Sequence, residues 1–236
     1  MLGVAWAFIT PLLMLGVYSL VFVGVFHARW PGAESGGGAG YALRLFAGLM
    51  VFNLFAEVVG RAASIIVEQP NLVKKVVFPL ELLSFVVLGS ALFHFFLSAG
   101  ILLLGNLLVH HSVPPTILLL PVIILPLLPL LLGLSWLLAA LGVYVRDIAP
   151  IVGLVVSLLL FLSPVFYSIQ TLSPTWQFWM QLNPLTAVIE NLRTAVFFGQ
   201  MPNWSPWIVS MLIGCMVAGL GAGVFSILRD GFADVL

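Results

Sequence analysis

The ionisable side chains of this 236-residue chain are few, eight basic and eight acidic, and those that interrupt apolar stretches are the places where chemistry could occur. Glu57 and Arg61 stand four apart, which puts them on one helix face within reach of each other. His94 sits alone in a long apolar run, as either a polar relay or one half of an interhelical hydrogen bond. Glu190 and Arg193, three apart, offer a second pair. None of these belongs to a catalytic constellation. The chain has no His-Glu-x-x-His, no Gly-x-Ser-x-Gly and no Gly-x-x-x-x-Gly-Lys, the motifs of a zinc hydrolase, a serine nucleophile elbow and a phosphate loop for ATP. Its single cysteine, Cys215, excludes an intrachain disulfide and a cysteine-based metal cluster. Proton-coupled carriage needs carboxylates well inside several spans, and the 64 residues from Leu82 to Val145 carry no Asp, Glu, Lys or Arg.

The elements that must hold these residues are therefore membrane spans. Hydrophobic residues make up 62% of the chain and charged residues 7%, and the mean hydropathy is +1.23. An apolar helix crosses the roughly 30 Å hydrocarbon core in about 20 residues, and long apolar runs without alternation select helices over a barrel. Charges and turn residues divide the chain into six spans at 3–27, 42–62, 82–109, 117–144, 148–168 and 205–228. The fourth contains Pro121, Pro126 and Pro129, each of which removes a donor and is expected to bend it. The first 28 residues lack the basic start of a secretory signal, so the first span reads as retained, and a cytoplasmic segment is expected to precede it. With the N-terminus inside, Arg61, Lys74, Lys75, Arg146 and Arg229 fall on the cytoplasmic side, against Arg29, Arg44 and Arg193 outside. The positive-inside rule thus favours both termini in the cytoplasm.

Two segments between spans carry the remaining information. From 169 to 205 the chain is Trp-rich and broken at Asn183-Pro184, which predicts two short helices at 174–182 and 184–198, each too short to cross. Such pieces either lie in the interface, anchored by Trp176, Trp179, Trp204 and Trp207, or dip into the membrane and return. Between the second and third spans, Pro70-Asn71 opens a short basic helix that Phe78-Pro79 ends, with Leu72, Val73, Val76 and Val77 on one apolar face. That helix suits either a groove on a partner protein or the lipid headgroups. Phe161, Phe166, Tyr167, Phe178, Trp179, Phe197 and Phe198 offer ring faces without fixed charge, toward either a transported cargo or an aromatic membrane belt.

Five motifs in register carry a family resemblance. They are Leu2-Gly3-Val4-Ala5-Trp6-Ala7-Phe8-Ile9-Thr10-Pro11, Asn71-Leu72-Val73-Lys74-Lys75-Val76-Val77-Phe78-Pro79, Val145-Arg146-Asp147-Ile148, Leu162-Ser163-Pro164-Val165-Phe166-Tyr167 and Leu182-Asn183-Pro184-Leu185-Thr186. In this order they resemble the permease subunit of type-2 ABC exporters, in the subfamily that moves polysaccharides such as O-antigen, capsule or teichoic acid.

The resemblance implies an all-α integral membrane protein, a single transmembrane domain over 1–236 with six spans and two short re-entrant periplasmic gate helices. It implies no catalysis in this chain, which would hold no cofactor of its own. ATP and Mg would be bound by a separate ATPase subunit, touched by Asn71, Leu72, Lys74, Lys75, Phe78, Arg146 and Asp147. It places Phe161, Phe166, Tyr167, Phe178, Trp179, Asn183, Pro184, Glu190 and Arg193 at the substrate path or outer gate. The expected partners are that ATPase, a second copy of the chain, a lipid-linked polysaccharide and membrane lipids, in a bacterial inner membrane. Family members usually carry an amphipathic interface helix before the first span, and none precedes it in this sequence. The competing readings are an ABC exporter of drugs or small lipophiles, and an ion-coupled carrier or flippase.

Overall fold

A computed structural model describes residues 3–25, 30, 37–74, 78–111 and 113–235. Among these, every regular element is helical. Helix α1 covers Gly3–Ser19 and continues as π-helical turns over Leu20–Val25. Then come α2 (Gly37–Ala62), α3 (Pro70–Lys74), α4 (Leu82–His110), α5 (Leu120–Ile124) and α6 (Leu127–Tyr144). The chain continues through α7 (Ile148–Leu162), α8 (Pro174–Gln181), α9 (Pro184–Phe197), α10 (Trp204–Leu228) and α11 (Phe232–Val235). Among the described residues, five stretches are long and apolar enough to cross a membrane: Trp6–Val25, Gly37–Ala62, Leu82–His110, Pro115–Tyr144 and Trp204–Gly231.

The expected fifth span, 148–168, is shorter than its sequence suggests. Helix α7 has 15 residues and at 1.5 Å per residue reaches about 22 Å, short of the roughly 30 Å core. It ends at Leu162, where Ser163 turns extended and Pro164 has no amide hydrogen to continue the ladder. Of the prolines of the fourth span, only Pro126 stands at a break, while Pro121 and Pro129 sit in the first turns of α5 and α6. A 3-10 turn over Pro115–Leu119 leads into α5, and the helix is interrupted at Leu125-Pro126 before α6 resumes.

Helix α2 is the axis of the bundle. It is predominantly apolar, as a helix surrounded by others must be, and Ala47, Met50, Val51, Val58 and Ala62 are all but inaccessible. Helices α1, α4, α6, α7 and α9 pack around it. Helices α6 and α10 form the closest pair, because Gly133, Gly214 and Gly221 each face backbone of the opposite helix where a Cβ would collide. Small residues at such crossings let backbones approach where lipid supplies no hydrophobic drive. Of the helices packed around α2, α1 and α7 are the least covered, with Leu13, Val17, Leu154 and Phe161 exposed.

The bundle has two distinct ends. At one, Arg229 bonds Glu81 at 2.5 Å, the Tyr144 hydroxyl donates to the Leu228 carbonyl at 2.8 Å, and α11 packs against α3. At the other, Arg193 Nε donates to the Arg44 carbonyl at 3.1 Å, Thr116 to the Ala195 carbonyl at 2.6 Å, and Trp207 Nε1 to the Val122 carbonyl at 2.9 Å. They are called here the Arg229 end and the Arg193 end.

Candidate functional site

At the Arg193 end, Asn183 opens α9 as its cap, accepting from the Leu185 amide at 3.0 Å, and Pro184 occupies the first turn where its missing donor costs nothing. The Asn183 amide also donates to Ser163 Oγ at 3.0 Å, so one side chain starts α9 and fastens the turn that ends α7. From α9, Leu185, Val188, Ile189, Leu192 and Val196 are buried. This helix is thus an internal element rather than a raft on the lipid surface. Helix α8 differs: it buries none of its residues, and Trp176, Phe178 and Trp179 are exposed, with Phe178 and Trp179 edge to face at 5.9 Å.

Arg193 lies at the centre of this end, with only 2% of its surface accessible. Its Nη1 donates to the Pro164 carbonyl at 2.6 Å and its Nη2 to the Val165 carbonyl at 2.7 Å, the groups released where α7 stops. Glu190 bonds Nη1 at 2.9 Å, and the Trp30 ring covers the guanidinium at 4.5 Å. Every part of the arginine fork is used. The pair read from the sequence is therefore no exposed surface couple, since Arg193 is enclosed and Glu190 alone reaches the surface. Backbone outside a helix survives at membrane depth only where protein or water satisfies it, and here a guanidinium does so.

A second enclosed cation, Arg44, lies nearby in α2 and is 3% accessible. Its Nε and Nη1 have no hydrogen-bond partner among the described residues. The Phe197 and Phe198 rings at the C-terminal end of α9 face it at 5.3 and 5.7 Å. Aromatic faces and the negative end of a helix dipole both favour a cation.

The aromatics expected at the gate fall into two groups. Phe166 stacks on Phe22 at 5.4 Å and also meets Phe161 at 5.7 Å and Tyr18 at 5.9 Å, while Tyr41 donates to its carbonyl at 3.1 Å. These contacts tie α1 and α2 to the turn after α7. The Tyr167 hydroxyl donates to the Phe161 carbonyl at 3.2 Å and sits 3.7 Å from the Met180 sulfur. Phe178 and Trp179 belong to the separate, exposed α8.

The residues expected at an ATPase contact gather at the Arg229 end. Asn71 is exposed, Leu72 and Phe78 are half-buried against the core, and Arg146 and Asp147 are exposed in the turn between α6 and α7. Lys74 closes α3, and Lys75 lies outside the described residues, as do Arg29 and the segment 31–36. Helix α11 supports this end through Phe232, which is fully buried and meets Phe225 at 5.6 Å and Tyr144 at 6.0 Å.

The sequence profile described as ABC-2 type transporter matches residues 1–197. The chain belongs to this family. It is similar to the O-antigen export system permease protein RfbA of Myxococcus xanthus, with 27% identity over 235 residues, 99% of this chain and 87% of that protein. It is also similar to the O-antigen export system permease protein RfbA of Klebsiella pneumoniae, with 22% identity over 236 residues, 99% of this chain and 87% of that protein.

Within this ABC-2 chain, sequence reasoning missed Arg44, Trp30, Tyr18, Phe22 and Tyr41 as members of the Arg193 assembly. A signal existed for Arg44, a lone charge in the apolar run Tyr41-Ala42-Leu43-Arg44-Leu45-Phe46, because charge within a span must find cover. No comparable signal marked the aromatics. Their contacts are long-range, Tyr41 to Phe166 spanning 125 positions. The interhelical reading of His94 holds, since its Nδ1 donates to Glu57 at 2.9 Å, and Arg61 lies 3.9 Å from the same carboxylate.

Proposed function

We propose that this chain is the permease subunit of an ATP-driven exporter that carries a lipid-linked, O-antigen-like polysaccharide across a bacterial inner membrane. The observation that carries this reading is the chain-long similarity to permeases named for O-antigen export. The division of labour between the two ends supports it. The Arg229 end presents a short helix and the Arg146-Asp147 turn to a nucleotide-binding partner, which supplies ATP and Mg. The Arg193 end is closed by two helices that do not cross, as an outer gate would be. Two permease copies form the path between them, with the exposed faces of α1 and α7 toward the partner copy.

The orientation follows from charge. Of the three arginines counted outside, Arg44 and Arg193 are enclosed by protein and do not act as loop charges. Arg29 alone is left against Arg61, Lys74, Lys75, Arg146 and Arg229. The positive-inside rule then puts the Arg229 end in the cytoplasm. Mechanistically, ATP binding by the partner favours one arrangement of the permease pair through differential contacts at α3 and the Arg146-Asp147 turn.

Inverted membrane vesicles test the reading. Glycan uptake should require ATP and the ATPase subunit and survive collapse of the proton gradient. Uptake by the permease alone under a gradient would assign the chain to ion-coupled carriers instead.

A further inference from the structure

A polar crevice opens on the flank of the bundle, away from both ends. A cavity of about 580 Å3 opens between α1, α2 and α4, and its polar lining comprises Thr10, Asn53, Glu57, His94 and Ser98 beside the Trp6 ring. On each helix these residues fall four apart, Trp6 and Thr10, Asn53 and Glu57, His94 and Ser98, so three helices turn one polar stripe toward a common space. The Glu57 to His94 hydrogen bond closes one side, and Ser98 donates to the His94 carbonyl at 2.9 Å.

Asn53 decides the chemistry. It is exposed and has no hydrogen-bond partner among the described residues. It precedes the end of α2 by nine residues, about 13 Å along the axis, which is close to the middle of the hydrocarbon core. A bare amide at that depth is costly unless it faces water or a polar ligand. The lining holds no fixed cation, so it does not favour a phosphate. It does hold an amide with donors and an acceptor, a carboxylate, an imidazole and two hydroxyls. Trp6, 56% exposed, adds a ring face on which C–H groups can pack. Hydroxyl-rich rings need that combination.

Resting on the export reading above, we propose that this crevice is a subsite for sugar units of the transported glycan. Asn53 and the Glu57–His94 pair receive hydroxyls, and Trp6 receives a sugar face.

The test uses the assembled transporter in exporting cells. A photo-reactive amino acid replaces Asn53 or Ser98 in turn, with Leu104, 64% exposed on α4, as a lipid-facing control. After illumination, permease purified under denaturing conditions is stained for periodate-sensitive sugar and analysed for bound lipid. Sugar should be joined to the permease from positions 53 and 98 and not from 104. Asn53→Ala should lower export several-fold, up to about tenfold, as loss of one neutral hydrogen bond permits. Permease abundance and ATPase co-purification should not change, and Asn53→Gln should restore at least half of the export. Lipid without sugar at 53 and 98, while a probe at Phe161 captures sugar, would overturn the subsite and leave the export reading standing. Sugar at no position, with glycan export unchanged when the permease gene is removed, would overturn both.

Discussion

Arg193 caps Val165: a side chain from one helix closes the carbonyl that another helix leaves open, at 2.7 Å and 28 positions away in sequence. The same guanidinium serves Pro164 and Arg44, so three strands of backbone from α2, the α7 turn and α9 meet at one planar group.

Arg193→Ala should cost about 3 kcal/mol, since it orphans buried carbonyls rather than a surface pair. Arg193→Lys should recover little, because an ammonium lacks the rigid fork. Gly48→Ala should reproduce part of the loss, as its Cβ would stand 2.7 Å from Arg193 Nη2 and 3.2 Å from the Val165 Cα. Glu190→Gln should be milder, the carboxylate being partly solvated. Thermal unfolding of the detergent-purified variants ranks the four, and Arg193→Ala unfolding at the parent's temperature would remove the cap from the argument.

At the opposite end, Glu81 accepts from its own backbone amide and from Arg229, which together hold its carboxyl below the usual range near 4.3. A depressed folded value contributes stability above the unfolded pKa, and that contribution fades as the pH falls through the folded one. The unfolding midpoint should therefore decline on acidification below about pH 4, and Glu81→Gln should flatten part of that decline. Identical pH profiles for parent and variant would show that the bond to Arg229 does not contribute.

Charge reversal at Lys74 and Lys75 should loosen the ATPase subunit or uncouple hydrolysis from export while the permease still folds, because the changed surface lies outside the hydrocarbon. Co-purification measures the first effect and vesicle export the second. Unchanged results in both would make this loop a lipid-surface anchor.

Cysteine labelling reports the orientation. In a Cys215→Ser background, needed because Cys215 is exposed, single cysteines at 71 and 146 should react only from the cytoplasm, and those at 176 and 201 from the outside. Labelling of residue 146 from the periplasm would invert the assignment.

Much of this architecture was legible in the sequence. Asn183-Pro184 marked the start of α9 because capping and first-turn preferences are local. The 174–182 and 184–198 helices accordingly agree with Pro174–Gln181 and Pro184–Phe197 to within a residue. The end of α7 was not legible: Leu162-Ser163-Pro164-Val165-Phe166 stays apolar after the helix stops, so hydropathy runs past the break. Burial of Arg193 was hidden for another reason. Its partners come from α2, from the turn after α7 and from Trp30, and no periodicity within α9 encodes them.

The short reach of α7 acts on the membrane as well as on the protein. A face that stops about 8 Å before the far side of the hydrocarbon creates a hydrophobic mismatch, and lipid beside it must thin. At fractions of a kcal/mol per Å, such deformation adds up to a free energy of the size of a helix contact. Leu154, Leu158 and Phe161 on α7 remain uncovered, so a second protein surface laid over them would relieve the strained bilayer as well as bury the side chains. Association through this face would then depend on membrane thickness, tightening in thicker bilayers and loosening in thinner ones.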